Sequence, residues 1–281
     1  MTHARGAASG PLGPGLGLQL GRLALGLMLG CCAIVHDSGS AEATERENLK
    51  ETGFRPLRIA QSPVRWLPRP DGGPIVLRYA IADRDLVDPE AINCGSMRAP
   101  AAMFEASRVD MATFRRALAE ALLRWQAIAD IAFEPAASLD LADIVVGEQA
   151  KPTGRAYTNV TLAKTWNGPA RPIVAASICL NPEQPWKVGF NGDLGVYDLV
   201  HTLTHEIGHA IGLDHPAGRG HVMSFRYDES RTGLSAGDSL GAVTLYGPRV
   251  PAAHASTGAS AAAARGAHTR PPADAAELGI R

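Results

Sequence analysis

The sequence predicts one α+β domain carried between two segments that do not join its core, and three observations lead to it. Apolar, β-branched runs bounded by turn residues alternate with two stretches of helical periodicity. All fifteen aromatic residues lie between Phe54 and Tyr246, so the side chains that dominate a core are confined to that span. Five of the nine histidines lie between His201 and His221, which concentrates reactive side chains in one short stretch. Net charge is −1, from 27 basic and 28 acidic side chains in 281 residues. Nucleic acid and anionic membranes both require clustered Lys and Arg, so neither is an expected partner.

The elements follow in chain order. Arg5 and Arg22 precede residues 23–35, an unbroken run of apolar residues and Gly. That run is too short to span a membrane and has the length of a signal-peptide core. Residues 1–43 are therefore expected to be a signal peptide ending at Ala41-Glu42-Ala43, or a lipoprotein leader with its lipid on Cys31 or Cys32. Either form exports the chain, to be secreted, periplasmic or anchored to the cell envelope. A short linker or pro-segment is assigned to residues 44–59, the folded domain to 60–248 and a disordered tail to 249–281. The tail is rich in Ala, Pro and Gly and cannot bury enough surface to offset its ordering entropy. His254 and His268 fall within it.

Within the domain, residues 75–81 follow a Gly-Gly-Pro turn and read as a strand. Met111, Phe114, Leu118, Leu122, Trp125 and Ile128 recur at helical spacing, and Ser107 with Asp110 offers a capping box for that helix. Residues 142–147 read as a buried strand, with further strands expected near 155–160 and 173–180. Beyond the leader the only cysteines are Cys94 and Cys179. In an exported protein two such thiols most simply form one disulfide, the other reading being two buried free thiols.

Residues 205–215 read His-Glu-Ile-Gly-His-Ala-Ile-Gly-Leu-Asp-His. His205 and His209 are four apart, so on a helix they stack on one face and can grip a single Zn2+. Glu206 is turned by about 100° from His205 and flanks the metal without being a ligand. Asp198 suits the N-cap of this helix, and Gly212 suits its end, where the left-handed conformation is needed. Pro216 keeps His215 out of the helical region, so the chain turns under the helix and returns His215 as the third ligand. Five fixed positions of this kind coincide by chance on the order of once in 10⁷ to 10⁸ positions at ordinary residue frequencies. His201 lies one turn before His205 and is either solvated or turned to the site, while His221 lies outside the ligand spacing.

With Met223 eight residues after His215, this pattern resembles the metzincin zinc peptidases. Val222-Met223-Ser224 stands in the place of their Met-turn. Leu234-Ser235-x-x-Asp238 leading to Leu245-Tyr246-Gly247 is similar to the closing helix of one branch, the matrixins, which include bacterial members and the matrix-metalloproteinase catalytic domains. The resemblance implies a metzincin (zincin-like) fold for residues 60–248: a twisted, mostly parallel sheet with one antiparallel edge strand, three main helices, and a cleft between upper and lower subdomains. It implies His205, His209 and His215 as ligands of one catalytic zinc, Glu206 as general base and Met223 as the Met-turn. The implied activity is endopeptidase cleavage of an extended polypeptide by a monomeric enzyme, with the substrate paired to the segment around 155–160.

Phe225, Tyr227 and Tyr157 are the expected pocket residues. Some metzincins place a metal-binding Tyr two residues after the Met. That position is Phe225 here, with Tyr227 displaced by two. Cys94-Gly95 echoes the matrixin cysteine switch, but it falls inside the catalytic region, where a Cys94–Cys179 disulfide is the expectation. For Ca2+ the sequence offers only Asp193 and Asn181, more simply turn residues. The competing functions are a zinc hydrolase of another amide and a non-catalytic, zinc-stabilised binding module, for which Glu206 would have no use.

Overall fold

The computed structural model describes residues 53–68, 75–228 and 230–249. The expected leader with Cys31 and Cys32, residues 44–52, and the tail from residue 250 with His254 and His268 lie outside the described residues. In chain order the strands before the first helix are β1 (Arg55–Pro56), β2 (Arg58–Ile59), β3 (Ser62–Arg65), β4 (Ile75–Ile81), β5 (Leu86–Val87) and β6 (Ser96–Arg98). Helices α1 (Ala102–Ser107) and α2 (Met111–Gln126) lead to β7 (Ile131–Pro135), β8 (Ile144–Gln149), β9 (Ala156–Leu162) and β10 (Arg171–Leu180). The short strands β11 (Trp186–Lys187) and β12 (Tyr197–Asp198) precede α3 (Leu199–Ala210), which is followed by β13 (Leu213–Asp214) and the closing helix α4 (Ala236–Tyr246).

The main sheet runs β7-β4-β8-β10-β9. Its first three pairings are parallel, and β9 lies antiparallel to β10 from Ala156 opposite Leu180 to Leu162 opposite Ile173. This is the mostly parallel sheet with an antiparallel edge that the metzincin resemblance implies, with α2, α3 and α4 as the main helices. Its central strand β8 is apolar over residues 144–147, as expected where both faces are covered, and ends in the buried polar side chains of Glu148 and Gln149.

Helix α2 forms because its apolar side chains share one face, and Phe114, Leu118, Ala121, Leu122 and Trp125 are all buried there against α3 and the sheet. Burying a large side chain of this kind contributes about 1.5–3 kcal/mol. Its start differs from the expected capping box. Ser107 ends α1, Arg108 adopts φ +54°, and Asp110 is the N-cap, accepting from Thr113 N at 2.7 Å. The left-handed Arg108 separates the two helices, so Ser107 cannot cap the second; its hydroxyl accepts instead from Trp186 N.

Residues 55–59, placed by the sequence in the linker or pro-segment, are strands joined to the domain. β1 pairs antiparallel with β13, Arg55 meets Asp214 at 3.1 Å, and Leu57 N donates to Gly212 O. The chain thus enters the fold directly beside His215.

Candidate active site

Helix α3 is the floor of the site, and its ends are where the sequence puts them. The Asp198 carboxylate accepts from His201 N at 2.7 Å, and the helix stops before Gly212, whose φ is +96°. Two indoles hold its carbonyls: Trp125 Nε1 donates to Thr204 O and Trp66 Nε1 to Ala210 O, each at 2.9 Å. Gly208 is required by a close approach, since a Cβ there would lie 2.2 Å from Met223 Sδ and 3.0 Å from Trp125.

The three expected ligands converge. Nε2 atoms of His205, His209 and His215 lie 3.1–3.2 Å from one another. Nδ1 of His205 donates to Val222 O at 2.7 Å, and Nδ1 of His209 to Leu213 O at 2.8 Å. Those bonds set the tautomer and turn the Nε2 lone pairs toward a common point. Burial, first of all, lowers the pKa of all three rings, His215 to about 4, so they are neutral. Facing lone pairs need a cation, and in a tetrahedral zinc site with bonds of about 2.0–2.1 Å the nitrogens stand about 3.3–3.4 Å apart. The donor set therefore fits zinc closely. Among the described residues it is the one group of three or more His, Cys, Asp or Glu that meets in this way.

Glu206 is buried beside the triad, and Thr158 Oγ1 of β9 lies 2.7 Å from its Oε2 and 3.0 Å from its backbone oxygen. Burial raises the carboxyl to about 6, against the lowering effect of the Thr158 hydrogen bond and of Arg155. Triad, Glu206 and β9 enclose a cavity of about 420 Å³.

Met223 is buried, with its sulfur packed against Gly208 of α3. Its turn is clamped by Asp238, whose carboxylate accepts from Val222 N at 2.8 Å and Met223 N at 3.2 Å while also closing a capping box with Ser235. His221 does not meet the triad, and its Nδ1 lies 2.7 Å from Ser235 Oγ. His201 is buried, with Nδ1 on Arg231 O and its ring 4.9 Å from that of Tyr227.

Phe225 and Tyr157 line the same cavity as the triad, with Phe225 set edge-on to His215 at 5.2 Å. Tyr227 does not join them. Its hydroxyl accepts from Asp198 N at the start of α3, and it lines a neighbouring cavity with Phe190. Asn181 and Asp193 accept from Glu183 N and Gly195 N two residues on, as turn residues do. Cys94 and Cys179 are joined by a disulfide with Cα atoms 5.7 Å apart. Cys94 therefore is held on β10, and Asn93 beside it reaches the cavity rim.

Sequence reading placed Thr158 and Arg155 only within the expected substrate-pairing segment, with no role for either, and did not reach the clamp by Asp238. Ser235-x-x-Asp238 carried a signal, since it is a capping pattern, but nothing local showed what else Asp238 would bind. Thr158 and Arg155 carried none.

A mixed sheet with an open antiparallel edge, crossed by a helix bearing two stacked imidazoles and a carboxylate, with a third imidazole returning below, defines a zinc hydrolase of the metzincin class. The matrixin family model matches residues 102–247, just over half of the chain. The chain belongs to the matrixin family and is a metalloendopeptidase with its histidine triad intact. A search of curated proteins finds no match to it.

Proposed function

We propose that this chain is an exported zinc endopeptidase that hydrolyses extended polypeptides with Glu206 as general base. One observation carries the base assignment: the Glu206 carboxylate is held by Thr158 on the wall of the cavity into which the three imidazoles converge. A structural zinc site has no need of such a group. Bound zinc would polarise the scissile carbonyl and acidify a water at neutral pH.

The chain's own residues do the rest. β9 pairs with β10 on one side, and its other edge carries no strand among the described residues. Its free amides and carbonyls align a polypeptide as an added strand. Glu206 accepts the proton of the attacking water and returns it to the departing amine nitrogen, so one carboxyl serves both halves of the reaction. Thr158 keeps that carboxylate in one position. Met223 and Gly208 hold the helix floor beneath the ligands. Phe225 and Tyr157 wall the cleft beside the reacting carbonyl. The disulfide supports export, because such bonds persist in oxidising compartments; a membrane is met only if Cys31 or Cys32 carries lipid.

The test uses the purified mature chain on unfolded protein. Glu206→Gln should lower kcat by about 10²–10⁴-fold while one zinc per chain remains bound, and chelation should abolish cleavage reversibly. Cleavage that persists in Glu206→Gln, or after complete metal removal, overturns the mechanism.

A further inference from the structure

Resting on the peptidase reading above, the rim of the cleft also points to a substrate preference. Arg155 immediately precedes β9 and lines the cavity that contains the triad and Glu206. Its guanidinium carbon lies 4.8 Å from the ring centroid of Tyr197 and 5.5 Å from that of Tyr227. Those two rings meet edge to face at 5.2 Å, so the guanidinium is held by stacking. It is not held by hydrogen bonds. Nε is buried without a partner, and the side chain makes no hydrogen bond or ion pair with any described residue.

Nearby carboxylates are committed elsewhere. Glu206 is bound by Thr158, Asp198 by the amides of His201 and Gly189, and Asp214 by Arg55. The cleft thus holds a fixed cation with donors to spare and no carboxylate of its own bonded to them. A guanidinium matches a carboxylate in shape and charge better than any other common side-chain group.

Strand polarity says where in a substrate that carboxylate belongs. Thr158, which holds Glu206, marks the level of the scissile bond, and Arg155 lies toward the start of β9. Antiparallel pairing is the more stable per residue, and a strand added in that sense runs opposite to β9. Residues after the scissile bond then head toward Arg155. The guanidinium belongs to the same cavity wall as His205, Glu206 and His215, so it borders the centre as well as the path beyond it. We propose that Arg155 is a specificity-determining residue that selects an acidic side chain, Asp or Glu, at the residue directly after the scissile bond.

The test compares zinc-loaded mature enzyme on C-terminally amidated peptides that differ only in Glu, Gln or Leu at that position. One further peptide carries Gln there and ends two residues later in a free carboxylate. Glu should exceed Gln by about ten- to a hundredfold in kcat/KM, with the ratio shrinking as salt rises. Arg155→Gln should bring the ratio near one and Arg155→Lys should leave part of it, with zinc content and circular dichroism reporting that both variants fold. Equal cleavage of Glu and Gln by wild type overturns the inference while leaving the peptidase reading intact. So does a preference that survives Arg155→Gln, or an equal slowing of all peptides in that variant, which would place Arg155 in the reaction itself. Preference for the free-carboxylate peptide assigns Arg155 to the end of the chain and overturns the side-chain assignment. Failure of wild type to cleave any peptide or unfolded protein removes the peptidase reading and this inference with it.

Discussion

The floor and the rim of the cleft are built differently. On the floor, α3, β13 and the turn around Met223 are largely buried, and two of the three imidazoles have a second partner: Val222 O behind His205 and Leu213 O behind His209, with Asp238 behind the turn. The rim is sparse. Phe225 is 76% exposed, β9 is half-open, and Arg155 is held only by stacking on two rings. Metal chemistry tolerates little displacement of its ligands, whereas recognition of many sequences is served by a wall few contacts define. The rim has one strong tie, the Cys94–Cys179 bond that fastens the loop bearing Asn93 to β10.

Cutting that tie should have the largest effect on stability. The bond closes a span of 85 residues; in the chain-entropy model a loop of that order is worth about 4–5 kcal/mol. The Cys94→Ser, Cys179→Ser double variant should lose most of that in urea unfolding, yet bind one zinc per chain wherever it remains folded. Loss of zinc from the folded variant would show that floor and rim are not separable. A count of two reactive thiols in denatured, unreduced wild type would remove the bond altogether.

Next in size is Asp238, the clamp under the floor. Asp238→Ala leaves the amides of Val222, Met223 and Ser235 without their acceptor in a buried place. At about 1–3 kcal/mol for a buried unpaired group, with partial relief from water, the loss should be about 3 kcal/mol. Zinc affinity should fall along with the melting temperature, because Val222 O also orients His205. Asp238→Asn keeps one acceptor oxygen and should fall between. An Asp238→Ala variant that melts as wild type does, with unchanged zinc affinity, would deny the clamp.

These two cases also show what a sequence can disclose. The triad, Glu206 and both ends of α3 were legible because helical spacing, a cap residue and a glycine act within one or two turns. The cysteine pairing was legible because only two candidates remained. Thr158 and Asp238 were not, because their roles are relations across 48 and 16 residues, which no local pattern encodes. The start of α2 was misplaced for a local reason: Ser107 and Asp110 both fit a cap, and the left-handed Arg108 decides between them.

Thr158 joins the two regions, and a smaller effect is expected there. Thr158→Val removes the hydrogen bond to Glu206 but retains the shape of β9. It should lower kcat by about tenfold, as the loss of one charged hydrogen bond does, with KM and zinc content little changed, and Thr158→Ser should restore most of it. A rise in KM with kcat intact would instead make Thr158 a substrate contact of the rim.

The smallest effect is expected furthest from the cleft, at Asp110, which starts the helix whose Trp125 supports α3. Its hydrogen bonds with Thr113 hold the carboxyl below the usual value, because they favour the charged form. A group lowered on folding stabilises above its unfolded pKa, near 4, and that contribution is lost as pH falls through the folded value. The difference in urea midpoint between wild type and Asp110→Ala should therefore be constant at neutral pH and narrow steadily below about pH 4. Asp110→Asn, which caps without a charge, should track wild type more closely and show no such narrowing. Because Asp110 touches neither ligand nor cleft, kcat/KM and zinc content should stay level at neutral pH. Any loss of activity there, with the fold intact, would mean that the floor depends on support reaching back through α2.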